Sequence, residues 1–271
     1  MVSARIPRSI VMNTVQTALA AAAAIALLSG CDHAQSSMPK PTIVLVHGAF
    51  ADGSSWNDVI SILNRDGYSA IAAPDALRSV TGDAAEVSTL LGSIEGPIVL
   101  VGHSYGGTVI SAAANGHANV KALVYVSAFA PDAGETSFGL AAHDPGATLG
   151  AALAAPVPLA DGSHDLYIDR SKFPAQFAAD VDPARAALMA ATQRPIVDAA
   201  GNEPSPTAAW RTIPSYTIYG SADLNIPPRT LAFMAARAHS RHTIVVNGAS
   251  HVVMVSHPAE VAALIEEAAS H

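Results

Sequence analysis

The residues best able to do chemistry stand in Gly102-His103-Ser104-Tyr105-Gly106, between a run of β-forming residues and a helical segment. A serine hydroxyl is a weak nucleophile, so it must be presented to the substrate and activated by a base. A sharp turn from strand to helix presents the side chain, and crowding at such a turn requires glycine two residues before and after the serine. The pattern therefore predicts Ser104 as a nucleophile.

A base for Ser104 must come from among eleven histidines. Gly248-Ala249-Ser250-His251 follows the last run of β-forming residues, and the sites of α/β sheets lie at the carboxyl ends of the strands. His251 is therefore the predicted base. His47 precedes a glycine turn and is expected to fix its own loop, and His103 is expected to point away from the serine hydroxyl.

The third member of the predicted triad is an acid that orients the base and stabilises its protonated form. Asp223 follows the strand before His251 and is the first choice. Asp132 follows an earlier strand and is the reserve candidate, whereas Asp75 precedes the nucleophile and is expected to be structural. The chain order of Ser104, Asp223 and His251 is one that known catalytic triads use.

A second motif, Val46-His47-Gly48-Ala49-Phe50, ends the first strand. Acyl transfer places negative charge on the substrate oxygen, which two backbone N–H groups should meet. We expect Ala49 and Tyr105, the residue after the nucleophile, to supply them. Phe50 is the main candidate and Phe129 the weaker one for lining the substrate pocket, which favours a small, largely apolar acyl or alcohol group.

Short runs of β-forming residues alternate with helical segments from Pro41 onward. The runs show no polar alternation, which is typical of strands buried on both faces. Strand–helix alternation predicts an α/β fold, with a mostly parallel sheet and helices on both faces. The predicted strands are 42–46, 70–73, 98–101, 122–126, 216–219 and 243–246, and the predicted helices are 55–65, 83–91, 107–115 and one after residue 258.

The alternation is interrupted between Phe129 and Ile213, a segment far too long for a loop in one domain. Asp161-Gly162 could turn a small hairpin into 166–168, and helical patterns follow at 174–179 and 183–191. We therefore expect an inserted, mainly helical cap over about residues 131–212.

The first thirty residues have the pattern of a secretion signal. Arg5 and Arg8 precede an apolar stretch over about 15–28, which is short for a membrane span. Leu28-Ser29-Gly30-Cys31 resembles the bacterial lipobox, in which the cysteine is acylated after cleavage; an ordinary signal with a chance cysteine is the alternative. We expect a signal peptide at 1–30, a tether at 31–40, a catalytic domain at 41–271, and a lipid-anchored protein of the bacterial cell envelope, on the periplasmic side if the source is Gram-negative.

Composition sets limits on the partners. Half of the 271 residues are hydrophobic, which is enough for one sizeable core. The net charge of −8 argues against nucleic acid as a partner, because a nucleic-acid binder normally has a basic face. Cys31 is the single cysteine of the chain, which excludes an internal disulfide and a cysteine-rich zinc site.

On these motifs the chain resembles the α/β-hydrolase superfamily over residues 41–271. It is similar in particular to the plant methylesterase and hydroxynitrile lyase group and its bacterial relatives. The resemblance implies a small cap above a deep apolar pocket, with no metal and no organic cofactor. The matching segments are 46–49, 102–107, 127–132 and 248–251, with a looser match at Gln193-Arg194-Pro195.

Details of the resemblance favour a carboxylic ester hydrolase that works through an acyl-enzyme. Lyases of the group carry a lysine where this chain has Val252 and a threonine where it has Gly48. Dehalogenases and epoxide hydrolases of the fold use an aspartate nucleophile. Perhydrolase or haloperoxidase-type chemistry, lactone opening and C–C cleavage keep the same triad and stay open. A binding protein without activity is a third possibility, against which the complete triad argues.

Overall fold

The computed structural model of the protein describes residues 1–3 and 40–271. The predicted signal segment beyond residue 3, the tether up to residue 39 and the acylation site Cys31 lie outside the described residues. Within those residues, no helix is both long enough and apolar enough to cross a membrane. The strands are β1 (Thr42–Val46), β2 (Ala70–Ala73), β3 (Ile98–His103), β4 (Val120–Val126), β5 (Val157–Pro158), β6 (His164–Leu166), β7 (Ile196–Val197), β8 (Ser215–Gly220) and β9 (Thr243–Val246).

The central sheet has six parallel strands in the order β2-β1-β3-β4-β8-β9. β3 is buried along its whole length because it lies in the middle of the sheet. All six strands were predicted. The prediction that they are buried on both faces is wrong for β9, where Thr243 and Val245 are exposed. Alternate residues share a face, so one face of this outermost strand is open to solvent, beyond the helices that cover the central strands.

Helices cover the sheet and confirm the predicted α/β fold class. The last helix packs against β3, β4 and β8, and buries the predicted stripe of Val261, Leu264 and Ile265. Its first residue is Pro258, which suits a position whose N–H has no helical partner. The helices are α1 (Asn57–Arg65), α2 (Val80–Ser93), α3 (Tyr105–Ala113), α4 (Ser137–Ala141), α5 (Leu149–Ala152), α6 (Phe173–Phe177), α7 (Pro183–Thr192), α8 (Asp198–Asn202), α9 (Pro228–Arg237), α10 (Val253–Ser256) and α11 (Pro258–Ala269).

The segment between β4 and β8 is mainly helical, as predicted, and contains α4 to α8 with a small antiparallel sheet of β5, β6 and β7. The hairpin turns at Gly162, whose φ of 88° favours glycine. Its second strand starts at His164, two residues before the predicted position. β7 was not predicted, because two residues are too few to produce a pattern.

Several contacts bind this inserted cap to the segments that follow β1 and β2. The Glu203 carboxylate accepts hydrogen bonds from the N–H groups of Val80 (2.7 Å) and Thr81 (3.0 Å) at the start of α2. Arg78 forms an ion pair with Asp165 of β6. The amide of Phe50, in the loop after β1, donates to the carbonyl of Arg194 at 2.9 Å. The cap is therefore bound to the loops that follow β1 and β2.

Replacing Glu203 by alanine should reduce stability, because two N–H groups at the start of α2 would lose their acceptor. We expect the free energy of unfolding to fall by about 1 kcal/mol, measured by urea denaturation. Glu86→Ala is the matched control, since Glu86 is an exposed acid in the same helix. Equal effects of the two substitutions would contradict a capping function for Glu203.

Candidate active site

Ser104 lies at the turn between β3 and α3 in a strained backbone conformation, with φ 52° and ψ −122°. A residue other than glycine in this region costs about 1–3 kcal/mol, and such strain collects at functional sites. A side chain at Gly102 would lie 2.6 Å from the carbonyl oxygen of Gly106. One at Gly106 would lie 2.6 Å from the carbonyl oxygens of Val46 and His47. Both glycines are thus required for the turn.

Neighbouring backbone holds the strained serine in place. The carbonyl of Ser104 accepts hydrogen bonds from the amides of Gly107 (3.0 Å) and Phe129 (3.1 Å). The Ser104 amide donates to the carbonyl of Val126, the last residue of β4, at 3.3 Å. The position of the candidate nucleophile therefore depends on two adjacent strands.

His251 and Asp223 are paired and buried. The Nδ1 of His251 lies 2.7 Å from Oδ2 of Asp223, and the two side chains are 1% and 0% exposed. The other oxygen of Asp223 accepts from the amides of Asn225 (2.8 Å) and Ile226 (3.0 Å). With Nδ1–H donating to the carboxylate, Nε2 is left with the lone pair that a base needs.

The reserve acid, Asp132, is not brought to His251. Its carboxylate pairs with the guanidinium of Arg211, with Nε 3.0 Å from Oδ1. That hydrogen bond is the main reason why the pKa of Asp132 is lowered. Of the two candidate acids, the structure places Asp223 beside the histidine.

Two side chains beside His251 were not predicted to be part of the site. Phe177, from α6 of the cap, has its ring centroid 5.1 Å from that of His251. His103 Nε2 lies 3.2 Å from the carbonyl oxygen of His251. Burial, with a contribution from His251, holds the pKa of His103 well below its usual value, so His103 is neutral and donates this bond. His103 belongs to the turn motif itself, whereas no sequence pattern indicates Phe177.

The loop after β1 lies against the nucleophile. A side chain at Gly48 would lie 2.6 Å from Cβ of Ser104. His47 is buried and its Nδ1 bonds to the carbonyl of Gly48 at 3.0 Å, so it fixes the loop as expected. Burial is the main cause of its lowered pKa.

Neither of the two predicted oxyanion donors uses its N–H group in a hydrogen bond to another described residue. Tyr105 is the first residue of α3, where an N–H has no partner within the helix. The Ala49 N–H makes no backbone hydrogen bond to any described residue, whereas the next amide, Phe50, is occupied by Arg194. Ala49 and Tyr105 are thus available to bind an oxyanion.

An apolar cavity of about 440 Å³ lies between Phe50 and the cap. A second cavity, of about 320 Å³, lies on the side of α1 and α7, and Phe50 also borders it. Phe129 is buried and does not line either cavity. The apolar residues that line the first include Phe50, Phe138, Ala141, Leu149, Leu153 and Leu166.

Among the described residues, no group of three or more His, Cys, Asp or Glu side chains is arranged to hold a metal ion. Comparison with known proteins identifies the class. The model of the "Alpha/beta hydrolase family" matches residues 43–264, and the chain belongs to this family. This assignment agrees with the resemblance noted from the motifs.

Two curated relatives match part of the chain. A carbendazim hydrolyzing esterase of Nocardioides sp. (strain SG-4G) is 33% identical over 110 residues, which are 36% of this chain and 46% of the relative. A pyrethroid hydrolase of Sphingobium wenxiniae is 33% identical over 104 residues, which are 34% of this chain and 37% of the relative. In both cases the match spans less than half of the relative's length.

Solved structures with the same fold cover most of the chain. A pyrethroid hydrolase from Sphingobium faniae JZ-2 superposes with a TM-score of 0.66 at 24% identity, covering 85% of this chain and 97% of the other. Polyneuridine aldehyde esterase gives 0.72 at 16% identity, covering 84% and 98%. A methylesterase from Arabidopsis gives 0.66 at 17% identity, covering 85% and 99%.

Replacing Gly48 by alanine should disturb the site, because the new methyl group would overlap Ser104 and the backbone of His103. Forcing a group into such a packed position costs about 1–3 kcal/mol. Thermal denaturation should show a lower Tm. Gly150→Ala is the matched control, since a methyl group there meets nothing within 4 Å; a similar loss of Tm in both variants would contradict the tight contact.

Proposed function

We propose that the protein hydrolyses small, largely apolar carboxylic esters through an acyl-enzyme on Ser104. The observation that carries the proposal is the buried 2.7 Å hydrogen bond between His251 and Asp223. It lies at the carboxyl edge of the sheet that also carries the strained Ser104. A base, its orienting acid and a presented hydroxyl are the groups that acyl transfer requires.

In the proposed reaction, Nε2 of His251 takes the proton of Ser104 as the hydroxyl attacks the ester carbonyl. The N–H groups of Ala49 and Tyr105 hold the oxyanion, and Asp223 stabilises the charged imidazole. His251 then gives the proton to the leaving alcohol, which departs. A water molecule, activated by the same histidine, releases the acid and restores the hydroxyl.

Neither Ser104 nor His251 lines the apolar cavity beside Phe50, but the Phe50 ring lies 6.2 Å from that of Phe177, which packs against His251. An apolar space so near the proposed base supports a substrate with an apolar acyl or alcohol group. The names of the two relatives, an esterase that hydrolyses carbendazim and a pyrethroid hydrolase, also support hydrolysis. Because their matches cover about a third of this chain, they favour the class of reaction and do not define the substrate.

The proposal predicts how three variants hydrolyse p-nitrophenyl acetate. Ser104→Ala should lower kcat by about 10⁴-fold, because the nucleophile is lost. Asp223→Asn should lower kcat by about 10⁴-fold, because the amide favours the wrong tautomer of His251. Asp132→Asn is the control and should keep kcat within about twofold, since an exposed ion pair contributes little.

Stopped-flow measurement of p-nitrophenol release from the purified protein and its variants decides between the outcomes. A Ser104→Ala rate within about tenfold of the unchanged protein would overturn the nucleophile assignment. A loss in Asp132→Asn instead of Asp223→Asn would overturn the acid assignment. Serine-dependent formation of peracetic acid from acetate and hydrogen peroxide, in a protein that releases no p-nitrophenol from the ester, would identify the reaction as perhydrolysis.

We also propose that Cys31 carries a lipid and anchors the protein to the bacterial cell envelope. The support is the order of charge, apolar run and lipobox in the sequence. In cells grown with an alkyne-labelled fatty acid, the protein should become labelled. The Cys31→Ser variant should carry no label and should keep its signal peptide uncleaved. Label that persists in this variant, or an N-terminal peptide that mass spectrometry finds unmodified, would contradict the anchor.

A further inference from the structure

Two buried carboxyl groups lie near the side chain of Tyr105, the residue after the candidate nucleophile. Asp75 follows β2, and Asp83 lies in the first turn of α2; each is 1% exposed. The Asp75 carboxyl accepts from the amide of Leu77 and the Asp83 carboxyl from the amide of the next residue, Arg78, so the two carboxyls lie close together. Two neighbouring ionised carboxylates in a buried place repel each other and have no hydrogen to share, so their burial together favours a proton on one of them.

The surroundings show which carboxyl carries the proton. Asp83 accepts from the Tyr105 hydroxyl at 2.9 Å and from the Arg78 amide at 3.2 Å. Asp75 accepts from the Leu77 amide at 3.1 Å through Oδ1, and its Oδ2 meets no donor among the described residues. An unpaired buried oxygen is costly, but a protonated Oδ2 can donate to Asp83 and leave no group unpaired.

The charged groups around the pair do not neutralise a second negative charge. The guanidinium of Arg78 is bound to Asp165 and to the carbonyl of Pro195. Arg194 of the cap acts on Asp75 only as a lesser influence, and Glu203 adds negative charge near Tyr105. Burial, followed by the charge of Asp83, raises the pKa of Asp75 well above its usual value.

The pair is connected to the reaction through Tyr105. The side chain of this residue is 1% exposed, and its hydroxyl is anchored on Asp83. Burial and the two acids raise the pKa of the phenol far above its usual value, so the hydroxyl remains a donor. The backbone N–H of the same residue is one of the two proposed oxyanion donors, and it directly follows Ser104.

We propose that the buried pair of Asp75 and Asp83 holds one proton, which is bound to Asp75 and donated in a hydrogen bond to Asp83. We propose that this pair positions Tyr105. It holds the Tyr105 side chain so that the N–H of the same residue points at the oxyanion. The oxyanion part of this inference rests on the proposed ester hydrolysis, whereas the sharing of the proton does not. Asp75 and Asp83 are thus positioning residues that do not touch the substrate.

Stability should depend on pH in a defined direction. Asp75 keeps its proton in the folded protein at pH values where the unfolded chain has lost it. The folded state then binds more protons than the unfolded state. The free energy of unfolding therefore falls as pH rises from the usual pKa of aspartate through the raised pKa of Asp75. Above that range a second buried charge would loosen the anchor of Tyr105, and kcat should fall.

Asp75→Asn tests the shared proton, because its amide can donate to position 83 and its oxygen can still accept from Leu77. We expect kcat within about threefold of the unchanged protein near neutral pH, and a weaker fall in kcat at alkaline pH. Thermal denaturation from pH 4 to 9 should show a flatter dependence of Tm on pH. A pH dependence identical to that of the unchanged protein would overturn the shared proton.

Infrared spectroscopy gives a readout that needs no substrate. At neutral pH the unchanged protein should show the C=O stretch of a protonated carboxylic acid, and Asp75→Asn should lack it. Absence of this band from the unchanged protein would also overturn the shared proton. The band distinguishes the two proposals, since it is expected even if no ester is hydrolysed.

Tyr105→Phe tests the link to the oxyanion. We expect kcat to fall about 10-fold with KM within about twofold, because the N–H groups that bind the oxyanion act mainly on the transition state. Tyr125→Phe is the matched control: this buried hydroxyl on β4 bonds to Ser111 at 2.8 Å and makes no hydrogen bond to Asp75 or Asp83. Equal effects of both variants on kcat would overturn the positioning function. If Ser104→Ala shows that no serine-dependent turnover exists, the oxyanion part fails with the proposed function.

Discussion

The strained backbone of Ser104 is the constraint on which the rest of the site depends. Its left-handed conformation costs about 1–3 kcal/mol and persists only where the surroundings leave no alternative. Glycines at 102 and 106 let three backbone segments meet at the turn, and β4 binds the serine on the other side. The same close approach brings the loop after β1 against Ser104, so the tight turn also fixes how that loop lies beside the serine.

Burial then determines how the polar groups of the site are arranged. Since His251 and Asp223 are almost fully excluded from solvent, each needs a partner within the protein. Asp223 has backbone donors on its second oxygen, and the carbonyl of His251 accepts from His103. The cap supplies Phe177 as an apolar wall, so it helps to define the surroundings of the base.

Much of this organisation was predictable from local patterns. The six sheet strands stand out because buried β-forming runs have no polar alternation, and the glycines around Ser104 mark its turn. Contacts between distant segments leave no such pattern. Asp75 was expected to be structural because it precedes the nucleophile, and its proximity to Asp83 emerges only when the loop before α2 folds so that the amides of Leu77 and Arg78 bind the two carboxyls. Phe177 reaches the site from the cap for the same reason, and the exposed face of β9 follows from its place at the sheet edge.

Phe50 has a consequence for how substrate range can change. It borders both cavities, so a smaller residue there would change both spaces together. Its φ of 61° is unusual for a bulky residue, and its amide is bound to the cap. If the proposed ester binds in these cavities, mutations at cap residues that line only one of them would change that space alone, whereas mutations at position 50 would change both spaces in a single step.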